Sequence, residues 1–128
     1  KVAVLDLGNR AGAVAAEVGG RPYSADVSDE AALSACAERI EAEMGPVSVL
    51  VNNAGIVAPG ARVEDYDAAR TARLLAVNVL GAFLCAREAV RRMSTRRGGA
   101  GGGGTSARSD VPLRAKFVGL AQARWAPT

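Results

Sequence analysis

Histidine is absent from these 128 residues, and cysteine occurs only twice, at Cys36 and Cys85. Without histidine there is no imidazole base and no Cys/His zinc site. The two cysteines fall on separate expected helices and read as buried free thiols of a reducing compartment. Aromatic residues make up 4% of the chain against 49% hydrophobic residues in total, so a core must be built from Ala, Val, Leu and Ile. No apolar run approaches the ~20 residues of a membrane helix. Lys1-Val-Ala-Val-Leu-Asp reads as the body of a strand rather than as a signal peptide. A soluble, cytoplasmic chain with no membrane partner is therefore expected. Acidic residues are scarce only at one end. Residues 1–93 carry ten Lys/Arg against twelve Asp/Glu, whereas residues 94–128 carry six against the single Asp110. The basic balance belongs to the tail, which has few aromatics to stack on bases, so no nucleic-acid partner is expected.

What is present has the order of an α/β domain, at a length that suits one core. Val2-Ala-Val-Leu-Asp-Leu7 is a strand-like apolar run. Residues 10–19 read as a short helix with Ala13, Val14 and Ala16 inward, closed by Gly19-Gly20. Arg21-Pro-Tyr-Ser-Ala25 suits a brief strand, and Ser28 is a suitable N-cap for the helix that follows. That helix places Leu33, Cys36, Ala37, Ile40 and Met44 along one stripe and ends at Gly45-Pro46. Val47-Ser-Val-Leu-Val51 is a nearly unbroken apolar run that suits a strand covered on both faces. A long helix is expected from about Asp67 to about Met93. Strands alternating with helices imply a parallel sheet with right-handed crossovers, here of three strands. Residues 1–97 form this unit. Residues 98–128 hold the low-complexity run Gly98-Gly-Ala-Gly-Gly-Gly-Gly104, read as a flexible linker, and a short helix over 113–125 with Leu113, Phe117, Leu120 and Ala121 on one side.

Asn52-Asn-Ala-Gly55 follows the third strand, where ligands of open α/β sheets bind. Asp26-Val27 precedes it by one helix, and Leu74-Leu-Ala-Val-Asn78-Val-Leu-Gly81 lies in the next. Together, in this order, the three segments resemble the short-chain dehydrogenase/reductase family over roughly residues 1–97. The resemblance implies a partial Rossmann-like fold and hydride transfer between a nicotinamide cofactor and a small-molecule alcohol or carbonyl. It assigns Asp6 to the adenosine ribose, where a carboxylate favours NAD over NADP. It assigns Asp26 and Val27 to the adenine, and Asn52, Asn53, Ala54 and Gly55 to the segment near the cofactor ribose. Asn78 matches the helix asparagine of the family's catalytic group, which supports a water in the proton relay. The family's long helix is also its usual dimer interface, which implies a homo-oligomer through residues 67–93.

The departures from the family pattern bear on activity. The family's glycine-rich phosphate loop follows a first strand that has no counterpart here, and Gly8-Asn-Arg-Ala-Gly12 does not replace it, because Asp6 would repel a diphosphate. With that strand missing, strand 2–7 is expected to pair directly with strand 47–51, since buried edges do not stay unpaired. The family's Tyr-x-x-x-Lys pair is also missing. If Lys116 echoes its lysine, Pro112 stands at the tyrosine position, and Ser106 is only a faint echo of the family's serine. Two readings follow: an oxidoreductase chain that is truncated and inactive by itself, and a non-catalytic interaction module built on the long helix. For the second, Val77 and Leu84 are expected on the helix's outer face.

Overall fold

The computed structural model describes residues 1–58 and 60–94, together with the backbone of residues 116–119. Strands β1 (Val2–Asp6), β2 (Arg21–Ser24) and β3 (Val49–Asn52) fall in the three expected strand segments. Between them lie helices α1 (Arg10–Glu17) and α2 (Glu30–Met44). The long helix is continuous from Ala68 to Met93 but is built in three parts: α3 (Ala68–Leu75), a π-helical turn (Ala76–Gly81) and α4 (Ala82–Met93). Asp67 caps its start by accepting a hydrogen bond from the Arg70 amide at 2.7 Å.

A fourth strand, β4 (Lys116–Gly119), corrects two expectations. The sheet has four strands rather than three, all parallel, in the order β2-β1-β4-β3. Strand β1 does not pair with β3, because β4 lies between them, with Lys116 opposite both Val2 and Val49. The physical reason is the one that motivated direct pairing, namely that buried backbone groups need partners. A distant segment supplies them. Over residues 116–119 the expected helix is thus replaced by a strand, and the rest of 113–125 lies outside the described residues.

Alternation along β1 divides the core into two layers. Ala3 and Leu5 join Tyr23, Leu33, Cys36, Ile40, Met44, Leu84, Cys85 and Met93 on the α2/α4 face. Val4 packs with Ala11 and Ala15 of α1 on the other. The α2 stripe is buried at all five expected positions. In α1, however, Ala11 and Ala15 face the sheet while Ala13 and Ala16 are exposed. Gly19 ends α1 in the left-handed region, at φ 62°. The α2 cap is Asp29, not Ser28, and its side chain accepts from the Ala32 amide at 3.0 Å. Cys36 and Cys85 are buried free thiols. Burial, the neighbouring Cys36 and Glu88 push the Cys85 thiol up to about 11, which leaves it un-ionised at neutral pH and inert as a nucleophile.

The long helix departs most from expectation. Val77 and Leu84 are only 5% and 6% exposed, so both face the body of the fold. The outward stripe is Leu75, Val79, Phe83 and Val90, with Leu80 beside it. By length and composition alone Ala68–Met93 matches a membrane span, contrary to the expectation that no segment comes close. One side of it nevertheless packs on the sheet, as in the core helix of an α/β fold. On that side Glu88 is buried. Arg92 grips it at 2.6 Å and Arg91 at 2.9 Å. Burial alone would raise its pKa, but the three arginines Arg92, Arg91 and Arg87 outweigh burial and hold it below the usual glutamate range.

Candidate functional site

Parallel strands all end on the same edge of the sheet, so the loops leaving them converge there. In this chain they enclose a cleft of about 510 Å³. One wall is the β1–α1 turn (Asp6 to Arg10), the second is Ala25, Asp26 and Val27 after β2, and the third is Gly55 and Ile56 after β3. Arg73 and Val77 close it from the long helix.

Asp6 lies at the end of β1, half-buried, and accepts a weak 3.4 Å hydrogen bond from the Gly8 amide. Asp26 is more constrained. Its Oδ1 accepts from the Ser28 amide at 2.9 Å and from Ser28 Oγ at 2.6 Å. Its Oδ2 accepts from Arg73 Nη2 at 3.0 Å. Burial would raise the pKa of Asp26, but the Ser28 hydrogen bonds and the Arg73 guanidinium overcome it and leave the carboxyl below its ordinary value. Asp26 is therefore an anion whose orientation is fixed. Val27 completes that wall by packing on Gly81. A Cβ built at Gly81 would come within 2.7 Å of Val27 Cγ2, so only glycine allows this approach.

The Asn52–Gly55 segment is tied to the same helix. Asn52 Nδ2 donates to the Ala82 carbonyl at 3.2 Å. Asn78, in the π-turn, accepts from the Ile56 amide and donates to the Ile56 carbonyl, both at 2.8 Å. Its carboxamide thus pairs with one residue as a neighbouring strand would. The local mid-helix bonding available to an asparagine is not what occurs. Asn53 is exposed, while Ala54 and Gly55 are half-buried. Asp6, Asp26, Val27 and Gly55 meet at the cleft, whereas Asn52 and Asn78 fix its rim from behind.

Sequence reasoning missed Arg73, because an arginine amid the arginines of a helix carries no motif. Gly81 fell inside a quoted segment without a stated role. Its signal was a glycine in mid-helix, which usually marks close packing. The two tyrosines are elsewhere. Tyr23 is buried and donates from its hydroxyl to Glu43 at 3.0 Å, and burial with that carboxylate raises its pKa. Tyr66 lies under the Arg70 guanidinium, 4.5 Å from the ring centre. Neither lines the cleft. Ser106 and Pro112 are outside the described residues, and of Lys116 only the backbone is described.

The short chain dehydrogenase family model matches residues 1–101. An uncharacterized oxidoreductase of Escherichia coli, YgfF, is 44% identical over 88 residues, which are 67% of this chain and 36% of that protein. The inactive 2-(S)-hydroxypropyl-CoM dehydrogenase 2 of Xanthobacter autotrophicus is 43% identical over 103 residues, 78% of this chain and 44% of that protein. A solved short-chain dehydrogenase/reductase from Serratia marcescens superposes with a TM-score of 0.58 at 30% identity, covering 73% of this chain and 52% of that one. The chain thus spans less than half the length of these two curated relatives.

Proposed function

The chain belongs to the short-chain dehydrogenase/reductase family, and from that premise we propose that its cleft is the adenosine-binding part of an NAD-dependent oxidoreductase site. Family members use NAD(P) and act on small-molecule alcohols or carbonyls. A bound nicotinamide supplies the hydride acceptor or donor. The observation that carries the proposal is the meeting of Asp6, Asp26, Val27 and Gly55, from three separate loops, at one cleft of about 510 Å³. Asp6 would accept the ribose hydroxyls, Asp26 the exocyclic amine of the base, and Val27 would pack on the ring. NAD is favoured over NADP because the Asp6 carboxylate opposes a 2′-phosphate. Arg10, on the same wall, pulls the other way, so the preference rests on Asp6.

By itself the chain is proposed to be inactive. Neither tyrosine reaches the cleft, which leaves no phenol there to exchange the substrate proton. Asn78 is proposed to act through the Ile56 loop, in keeping with the family's helix asparagine. Without a phosphate loop, dinucleotide affinity should be millimolar or weaker, about 4 kcal/mol. Calorimetric titration with NAD, NADP and AMP tests this reading. Weak binding of AMP and NAD, with NADP weaker still and reversed by Asp6→Ala, is the expected result. No binding of any adenine nucleotide at millimolar concentration would refute the cleft assignment, and a micromolar dissociation constant for NAD would refute the missing cradle.

A second reading, an interaction module, is favoured by the outward stripe of the long helix, where Phe83 is 72% exposed. An apolar stripe of this length is a candidate association surface. We propose self-association through it, as a two-fold pair.

A further inference from the structure

We infer that Arg73 is a positioning residue for base recognition: it holds the Asp26 carboxylate so that one acceptor position faces the cleft, selecting a base edge with an exocyclic amine over one with a carbonyl. This rests on the reading of the cleft as an adenosine site. A carboxylate offers about four acceptor positions. In Asp26, Ser28 occupies two on Oδ1 and Arg73 occupies one on Oδ2. The single position left on Oδ2 is available to an incoming N–H and repels an incoming carbonyl oxygen.

The grip comes from one planar group. Arg73 Nη2 donates to Asp26 at 3.0 Å, while Nη1 of the same guanidinium donates to Ser28 Oγ at 2.9 Å. Ser28 Oγ in turn donates to Asp26 at 2.6 Å. Two protons of this triangle reach the carboxylate directly and the third reaches the Ser28 hydroxyl that donates to it, so the carboxylate's orientation is over-determined. Arg73 and Asp26 lie 47 positions apart, and both line the cleft. The pair is not explained as a stability device. The Arg73 side chain is 47% exposed, and ion pairs so exposed contribute about 0–1 kcal/mol. Its geometric effect on the cleft wall is the larger consequence.

The test compares AMP, which carries a 6-amino group, with IMP, which carries a 6-oxo group, titrated into the whole chain and into Arg73→Met by NMR. The parent chain is expected to prefer AMP by about tenfold, and Arg73→Met to lose that preference while its melting temperature stays unchanged. Arg73→Met keeping the preference would overturn the role of Arg73 alone. Equal affinity of the parent for the two nucleotides would overturn the single-acceptor argument. Failure of the parent to bind either would overturn the cleft reading and this inference with it.

Discussion

Replacing Gly81 with alanine sets two effects of opposite sign against each other. In an ordinary exposed helix the change would stabilise by about 1 kcal/mol, because glycine is the poorer helix former. Here the new methyl would lie 2.7 Å from Val27 Cγ2, 3.2 Å from Val27 Cβ and 3.4 Å from the Val27 carbonyl oxygen. Carbon atoms rest at about 3.5–4.0 Å, so Val27 must retreat by most of an ångström. Rotation of its side chain is not sufficient, because Cβ is also too close. Overpacking of this kind costs about 1–3 kcal/mol. The clash wins, with a net loss of about 1 kcal/mol. Val27 lines the cleft, so AMP affinity should fall as well. Urea denaturation of the parent, Gly81→Ala, Val27→Ala and the double variant measures the coupling. The double variant should recover part of the loss, since Val27→Ala removes Cγ2. Two results would refute the reasoning. One is Gly81→Ala being more stable than the parent with unchanged AMP binding. The other is a cycle that is additive within about 0.5 kcal/mol.

Glu88→Gln removes the nearer of the two counter-charges of Arg92, leaving Glu41 at 3.3 Å, and should cost about 2 kcal/mol at neutral pH. The folded pKa of Glu88 is lowered, so its contribution is complete above the ordinary value of 4.5 and is lost as pH falls through the lower folded value; a parent-to-variant gap that stays constant from neutral to strongly acid pH would contradict this. Phe83→Glu, on the exposed stripe, should abolish self-association in sedimentation without loss of stability, whereas Val77→Glu and Leu84→Glu, being buried, should unfold the chain. A parent that sediments as a folded monomer at high micromolar concentration would end the dimer proposal. Val118→Pro removes a backbone donor from the strand between β1 and β3 and should cost about 3 kcal/mol or more in denaturant melts; an unchanged melt would show that β4 contributes nothing to the sheet.

The legible parts of this fold were those where local pattern and tertiary role coincide. The α2 stripe is readable because Leu33, Cys36, Ile40 and Met44 contrast with charged neighbours, and all are buried. In α1 Val14 packs inward as expected, but the remaining candidates are alanines and a glycine that offer no contrast, so Ala13 and Ala16 were placed inward in error. The inward face of the long helix was misassigned for a different reason. Its two apolar groups were separated as the structure has them, Val77 and Leu84 on one side and Leu80, Phe83 and Val90 on the other, but both sides are apolar, so hydrophobicity does not say which of them packs on the sheet. Strand β4 is a tertiary override: four residues fit a helix or a strand, and only the open position between β1 and β3 decides. Asp6, Asp26, Val27 and Gly55 were legible through family resemblance. Arg73 was not, because its role depends on a partner 47 residues away.

The helix from Ala68 to Met93 connects these observations. Four successive points along it hold the rim of the cleft: Arg73 grips Asp26 and Ser28, Asn78 pairs with Ile56, Gly81 receives Val27, and the Ala82 carbonyl accepts from Asn52. Two of the four lie inside the π-turn, whose extra residue sets the angular positions of Asn78 and Gly81 relative to Arg73. A helix of regular pitch with the same sequence would rotate these contacts out of register. The cleft walls are therefore positioned by a helix whose opposite face carries the proposed association stripe.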